Sequence, residues 1–276
     1  MRQNRKTFIF RGLLICISIG LLIIAISIND VNQDSSSSIQ NAVAKNKESF
    51  DDTVDKNDVV TDDDQEDNDD VVTDDSQAKN EDKKVAYLTF DDGPDNISGE
   101  LLDLLNEYDA KATFFMIEPR MKDHPNEVQR MVDDGHGVGL HGVTHDQTEF
   151  YKSSQSILNE INKGNQTLKE ITGIDTVLIR TPYGSFPCMT EEYRETVKNN
   201  GFKMWDWHVD SEDWKFKGSD YVPYTINQIE EWNQDVVILL HEQSTTVQYL
   251  RKLLDYLTEN NFDLEKLDGT MQPFQF

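Results

Sequence analysis

The order of apolar and polar positions divides the chain into three textures. Residues 8–28 are almost wholly apolar, broken only by Arg11. The uninterrupted run 12–28 lies at the short end of what spans a bilayer as a helix. Residues 29–84 have no apolar periodicity of either helical or strand type. From 85 onward, short apolar runs alternate with stretches of helical spacing. Strands are predicted over 85–90, 112–117, 137–140, 176–179, 202–207, 236–240 and 262–267. Helices are predicted over 97–108, 126–134, 153–172, 190–200, 225–233 and 246–260, several of them closed by a glycine such as Gly173 or Gly201. Repeated strand–helix units imply a parallel sheet. About seven units in one domain suggest a closed or nearly closed β/α barrel, and a doubly wound open sheet is the alternative.

Charge sharpens the division. Of the formal net charge of −26, the stretch 45–84 carries 16 acidic and 6 basic side chains. Val59-Val60-Thr61-Asp62-Asp63 recurs at Val71-Val72-Thr73-Asp74-Asp75. So polar a segment cannot bury enough apolar surface to offset its ordering entropy, and it reads as a disordered, self-repelling linker over 29–84. Its Asp runs lack the glycine and closing Glu of a calcium-binding loop. Arg2, Arg5, Lys6 and Arg11 crowd the N-terminal side of the apolar run, and the next basic residue is Lys45. The positive-inside rule therefore predicts a single-pass transmembrane anchor over 1–28 with everything after it outside the cytoplasm. A cleaved signal peptide fits less well: the apolar run is too long, and no small-x-small site follows closely. Cys16 lies inside the run, in a poor context for lipid attachment.

The remaining residues, 85–276, hold 34 acidic and 16 basic side chains. That balance argues against a nucleic-acid partner, which needs a basic face, and is compatible with a neutral or cationic polymer such as a glycan. Cys188 is the domain's one cysteine, so the domain has no disulfide.

In β/α architectures chemistry collects at the C-terminal ends of the strands. Five predicted strands end in chemically loaded residues. They are Asp91-Asp92-Gly93-Pro94; His141-Gly142-Val143-Thr144-His145; Arg180-Thr181-Pro182-Tyr183-Gly184; Asp210-Ser211-Glu212-Asp213-Trp214; and His241. Taken singly each is weak: Asp-Asp-Gly-Pro reads as a turn, and a His-x3-His pair lacks the Glu of zinc proteases. Together on one rim they argue for a site. Two His and one Asp are three N/O ligands with an open position, the pattern of a catalytic zinc or similar ion. A further carboxylate as base and another His as acid make hydrolysis of an amide or ester plausible. His124, His136 and His208 read as surface or structural, and Trp207 as core.

Thr89-Phe90-Asp91-Asp92-Gly93-Pro94, His141-x3-His145, Arg180-x-Pro182-Tyr183-Gly184, Asp210-x2-Asp213-Trp214 and Leu239-Leu240-His241 occur in that order. They resemble the five motifs of the polysaccharide deacetylases (carbohydrate esterase family four, the nodulation-factor deacetylase homology domain). The resemblance covers 85 to about 267. It implies a single deformed (β/α) barrel of about seven strands and one divalent ion, commonly zinc, with cobalt, nickel or manganese as alternatives. It also implies Asp92, His141 and His145 as metal ligands, Asp91 as general base, and His241 as general acid. Arg180 would orient Asp91. Asp213 would tune His241, a task Asp210 could share. Tyr183 would offer its backbone N–H to the oxyanion, and Trp214 and Leu239 would form the groove wall and acetyl-methyl pocket.

Two positions depart from the family pattern. Gly142 stands where a Ser or Thr hydroxyl supports the metal loop, which puts the loop's rigidity in doubt. Glu242 follows His241 where Asp is common, a difference that reads as minor.

The expected substrate is a cell-wall glycan, peptidoglycan N-acetylglucosamine first, with release of acetate. Chitin oligomers, acetylxylan or exopolysaccharide are alternatives, and a non-catalytic glycan-binding module is the reading from another class. The enzyme is expected as a monomer at a bacterial cell membrane, its catalytic domain extracytoplasmic.

Overall fold

The computed structural model of the chain describes residues 83–276. The anchor expected over 1–28 lies outside the described residues, as does all of the expected linker except Lys83 and Lys84. Among the described residues no helix is long and apolar enough to cross a membrane. The Lys84 carbonyl already accepts from Asp263 N–H at 2.8 Å, so ordered pairing begins just before the predicted first strand.

Eight parallel strands make one sheet: β1 (Val85–Asp91), β2 (Ala112–Met116), β3 (Gly137–Leu140), β4 (Leu178–Ile179), β5 (Lys203–Met204), β6 (Val209–Asp210), β7 (Val236–His241) and β8 (Asp263–Leu264). The order across it is β5-β4-β3-β2-β1-β7-β6, with β8 pairing the start of β1. This is the cyclic order of a seven-strand barrel opened between β5 and β6. A doubly wound sheet would reverse its order at a switch point, so the sheet is a curled half-barrel. Its centre is β1, whose residues 86–91 pair with Val236–His241 of β7 and whose residues 88–91 pair with residues 112–115 of β2. The apolar run of β7 up to Leu240, and that of β2 broken only by the buried Thr113, are what strands covered on both faces require.

Among the described residues eight α-helices accompany the strands: α1 (Ser98–Glu107), α2 (Glu118–Asp123), α3 (Pro125–Asp133), α4 (Gln147–Phe150), α5 (Ser154–Thr172), α6 (Glu191–Asn199), α7 (Tyr221–Trp232) and α8 (Ser244–Glu259). In α5 the Ser153 hydroxyl accepts from Ser156 N–H in a capping box, and Gly173, at φ 79°, ends the helix. Its buried stripe is Ile157, Ile161, Gly164 and Leu168. A Cβ at Gly164 would lie 3.3 Å from Leu140 Cδ2, so glycine lets α5 pack tightly on β3. That contact fixes α5 beside the loop that leaves β3.

Three differences from the sequence reading have local causes. The pieces α2 and α4 are too short to display a helical period; Pro125 begins a new helix directly after α2, and Asp146 caps α4. Helix α7 starts at Tyr221 rather than 225, because Pro223 lies in its first turn, where a missing N–H costs nothing. The strand expected over 202–207 pairs only at Lys203–Met204. Beyond it Asp206 N–H donates to Phe274 O instead, and the chain crosses the open side to the short β6.

Helix α8 buries Val247, Leu250, Leu253, Leu254 and Leu257 against the sheet. Truncating Leu250, which is fully buried, to alanine is expected to cost about 2–5 kcal/mol of unfolding free energy. Urea denaturation should show a lower midpoint at unchanged slope, and an unchanged midpoint would contradict this packing.

Candidate active site and metal centre

The loaded strand ends meet at one mouth of the half-barrel. Asp91 ends β1 and Asp92 follows it in left-handed backbone, φ 70°. His141 follows β3, with its N–H tied to Met116 O at 2.8 Å. His145 returns at φ 47°. Asp92 Oδ1 lies 3.2 Å from His145 Nε2 and 3.6 Å from His141 Nε2. One potential ligand atom from each residue fits within a 4.8 Å cluster. Two observations test whether these residues fit a divalent ion. Asp92 Oδ1 is buried without a hydrogen-bond partner, a state that is costly unless something else satisfies it. His141 Nδ1 lies 2.8 Å from the Arg180 carbonyl, which can only accept, so Nδ1 carries the proton and Nε2 keeps its lone pair toward Asp92. Burial first, then the neighbouring His141, holds His145 below the usual histidine value, which favours the neutral ring that ligation needs. The residues fit the ion.

Arg180 follows β4 and is buried. Its guanidinium donates to Asp91 Oδ1 at 2.9 Å, Thr89 Oγ1 at 2.8 Å, Trp205 O at 3.1 Å and Asp206 O at 3.1 Å. It also stacks over Phe115, 4.3 Å from the ring centre. Asp91 is therefore held by one oxygen, and its other oxygen, Oδ2, stands 3.7 Å from His141 Nε2. On the opposite wall Asp213 takes His241 at two points, Nδ1 at 2.7 Å and the backbone N–H at 2.8 Å, and also accepts from Thr246 Oγ1. Burial pulls the His241 pKa down, but the hydrogen bond and charge of Asp213, joined by Asp91 and Asp92, raise it to about 9. Asp210 accepts from Glu212 N–H, so Asp213 alone of the two candidates is bonded to His241.

Between the two walls lies a pocket of about 430 Å³, lined by Asp91, Asp92, His141, His145, Tyr183, Trp214, Leu239 and His241 among others. All ten residues singled out from the sequence belong to this pocket or bond directly to a residue lining it. Tyr183 and Trp214 are exposed and Leu239 is buried. The Tyr183 hydroxyl donates to His145 O at 2.9 Å. His136 is buried, its pKa lowered to about 4 chiefly by burial, and it accepts from Ala112 N–H. His208 accepts from Val237 N–H at 2.9 Å. Both are structural.

The sequence reading missed several participants. Trp207, read as core, lines the pocket. Glu242 is more than a minor difference: it is buried under the β1–α1 loop, where Oε2 accepts from Ser98 Oγ and Oε1 has no partner. Burial, against that hydrogen bond, raises its pKa to about 8. A Cβ at Gly93 would lie 1.7 Å from Glu242 Oε1, so this loop accommodates the carboxyl only with glycine there. A Gly five residues before a Ser, with a Glu after the last motif His, carried no pairing signal in one sequence. The third residue missed, Glu160, hydrogen-bonds the loop between the two histidines.

Residues 78–205 match the family described as polysaccharide deacetylase. The putative polysaccharide deacetylase YheN of Bacillus subtilis is 43% identical over 195 residues, covering 69% of this chain and 69% of that protein. A peptidoglycan-N-acetylglucosamine deacetylase of Bacillus cereus is 38% identical over 192 residues, covering 67% and 69%. The crystal structure of the polysaccharide deacetylase Bc1974 from Bacillus cereus matches with a TM-score of 0.63 at 37% identity, over 70% of this chain and 97% of that one.

The His241–Asp213 pair makes a test that needs no substrate. The folded pKa of about 9 exceeds the ordinary 6.5, so the pair's stabilisation is complete below 6.5 and is lost as pH rises through about 9. In Asp213→Asn burial persists while the largest raising partner is gone and only the charges of Asp91 and Asp92 still raise it, so the His241 pKa is expected to fall well below about 9. NMR titration of the histidine rings with chelator present reads this directly. A value that stays near 9 would remove Asp213 as the cause.

Proposed function

Because the chain belongs to the polysaccharide deacetylase family and is a hydrolase, we propose that it removes N-acetyl groups from a cell-wall glycan in a divalent-metal-dependent reaction, with peptidoglycan N-acetylglucosamine as the first substrate. The observation that carries this reading is the facing of two proton-handling pairs, Asp91–Arg180 and His241–Asp213, across the one pocket that also holds the Asp92–His141–His145 cluster. The substrate assignment leans on the activity for which the Bacillus cereus relative is named.

Asp92, His141 and His145 would hold the ion, which when bound supplies Lewis acidity toward the acetyl carbonyl and makes a nearby water more acidic. The residues of the chain do the rest. Asp91, oriented by the Arg180 hydrogen bond, takes a proton from water as its oxygen attacks the carbonyl carbon. The backbone N–H of Tyr183 donates to the oxyanion that develops there. His241, held charged by Asp213, gives its proton to the leaving nitrogen; the C–N bond breaks, and acetate and a free amine leave. Trp214 walls the sugar, and Leu239 offers an apolar surface to the acetyl methyl group. The −18 balance of residues 85–276 suits a product that gains positive charge. In the same reading the apolar run 12–28, with its basic flank, anchors the enzyme at the cell membrane and the acidic stretch after it carries the domain toward the wall.

The purified full-length chain, loaded with Zn²⁺ or Co²⁺, is expected to release acetate from peptidoglycan and from N-acetylglucosamine oligomers. Chelation should abolish the release, and Asp91→Asn should lower kcat by about 10²–10⁴-fold. Because His241 must carry its proton, kcat should fall as pH rises past about 9. The ranking of peptidoglycan, chitin oligomers, acetylxylan and exopolysaccharide identifies the polymer. A folded, metal-loaded protein that releases no acetate from any of them would overturn the enzymatic reading in favour of glycan binding.

A further inference from the structure

The loop that carries the two histidine ligands has no side chain of its own to brace it at Gly142. Two of its residues lie in left-handed backbone, Gly142 at φ 87° and His145 at φ 47°. For His145 that conformation is unfavourable unless its surroundings enforce it. His141 is fixed by β3 and the Arg180 carbonyl, and His145 by the Tyr183 hydroxyl at its own carbonyl. Between them, the Gly142 carbonyl accepts from Glu118 N–H at 3.0 Å, and Val143 and Thr144 are fixed by a helix 16 to 17 positions later in the chain. Glu160 of α5 turns its carboxylate onto the loop: Oε2 accepts from Val143 N–H at 2.8 Å and Thr144 N–H at 3.1 Å, and Oε1 accepts from Thr144 Oγ1 at 2.7 Å.

The glycine and the carboxylate are two halves of one arrangement. A Cβ at position 142 would lie 3.0 Å from Glu160 Oε2 and 3.2 Å from Phe150 Cε2, so the space a side chain would occupy there holds the Glu160 oxygen. Among the described residues no cation lies within ion-pair distance of Glu160, and its two oxygens turn to the three donors of the loop. Its backbone is rigidly placed, because the neighbouring Ile161 is buried in the core and Gly164 packs against Leu140 of β3, the strand that runs into His141.

We propose that Glu160 is the positioning residue of the metal loop: its three hydrogen bonds set the separation of the His141 and His145 rings, and thereby the affinity of the site for a divalent ion, without touching ion or substrate. This inference rests on the reading of Asp92, His141 and His145 as the metal ligands.

The test is the Zn²⁺ dissociation constant of the full-length chain, measured by competition with a chromophoric chelator, alongside the melting temperature of the metal-free protein. Glu160→Ala is expected to weaken Zn²⁺ binding by about 10–100-fold, the range for partners that orient metal ligands, while the metal-free melting temperature changes little. Glu160→Gln should bind close to wild type, because an amide oxygen still accepts both backbone N–H groups and its NH2 can donate to Thr144 Oγ1. Wild-type affinity in Glu160→Ala overturns the proposal. So does a loss in Glu160→Gln as large as in Glu160→Ala, which would assign the effect to charge rather than to these bonds. If Glu160→Ala does not fold, Thr144→Val removes one of the three bonds, and wild-type affinity there overturns the proposal equally. A wild-type protein that binds no Zn²⁺ would instead sink the reading of the ligand set itself.

Discussion

The buried guanidinium of Arg180 is the interaction on which the site depends. Arg180, which follows β4, crosses the interior of the half-barrel with directed bonds, reaching Thr89 and Asp91 of β1 on one side and the carbonyls of Trp205 and Asp206, just after β5, on the other. Its own carbonyl meanwhile fixes the ring of His141. A charge so placed is tolerable only because it is paired, hydrogen-bonded and stacked on Phe115. Removing one partner of such a pair typically costs about 3–5 kcal/mol, because the other charge remains buried. The orientation of Asp91 thus depends on the side chain of Arg180, and the tautomer of His141 on its backbone carbonyl.

The two proton-handling groups are separated by environment rather than by chemistry. Asp91 shares an oxygen with a permanent cation, whereas His241 shares its ring proton with a carboxylate and is held charged far above neutrality. The base and acid of the proposed reaction would act at one pH within one pocket, which requires such a division. The geometry matches it, with each member oriented by a third group that faces away from the pocket.

Much of this was legible in the sequence where a local signal existed. The central strands β1, β2 and β7 are largely apolar runs, with Thr89 inside β1 and Thr113 inside β2, and the five loaded segments that begin at 91, 141, 180, 210 and 241 could be read off in order. The barrel and the open sheet could not be told apart, because strand order is a property of pairing and not of period. The strands β5 and β6 pair over two residues each, too few to print an alternation. Glu160 and Glu242 were overlooked for a different reason. Each acts on a loop apart from it in the chain: Glu160 on a polar helix face is indistinguishable in sequence from a Glu that stays in solvent, and Glu242, next to His241, meets Ser98 only through the pairing of β7 with β1.

Those overlooked residues follow a common rule, which gives the domain's acidity a second meaning. Asp92, His145, Tyr183 and Glu212 all lie in left-handed backbone in loops at the mouth of the half-barrel, and such strain persists only where the scaffold over-determines it. Four carboxylates act on these loops. Glu160 accepts from 143 and 144, Asp206 from Ser185 and Phe276, Asp213 from His241 and Thr246, and Glu242 from Ser98. None of them bonds a lysine or arginine: Asp213 pairs with the ring of His241, and the other three depend on N–H and O–H donors to offset what burial costs a charge. Glu242 has the poorest supply, one donor and one orphaned oxygen, and it is the carboxyl whose pKa rises to about 8. The shortage of donors reaching Glu242 therefore bears on its charge state, and through these four contacts the acidic excess of the sequence also shapes the site.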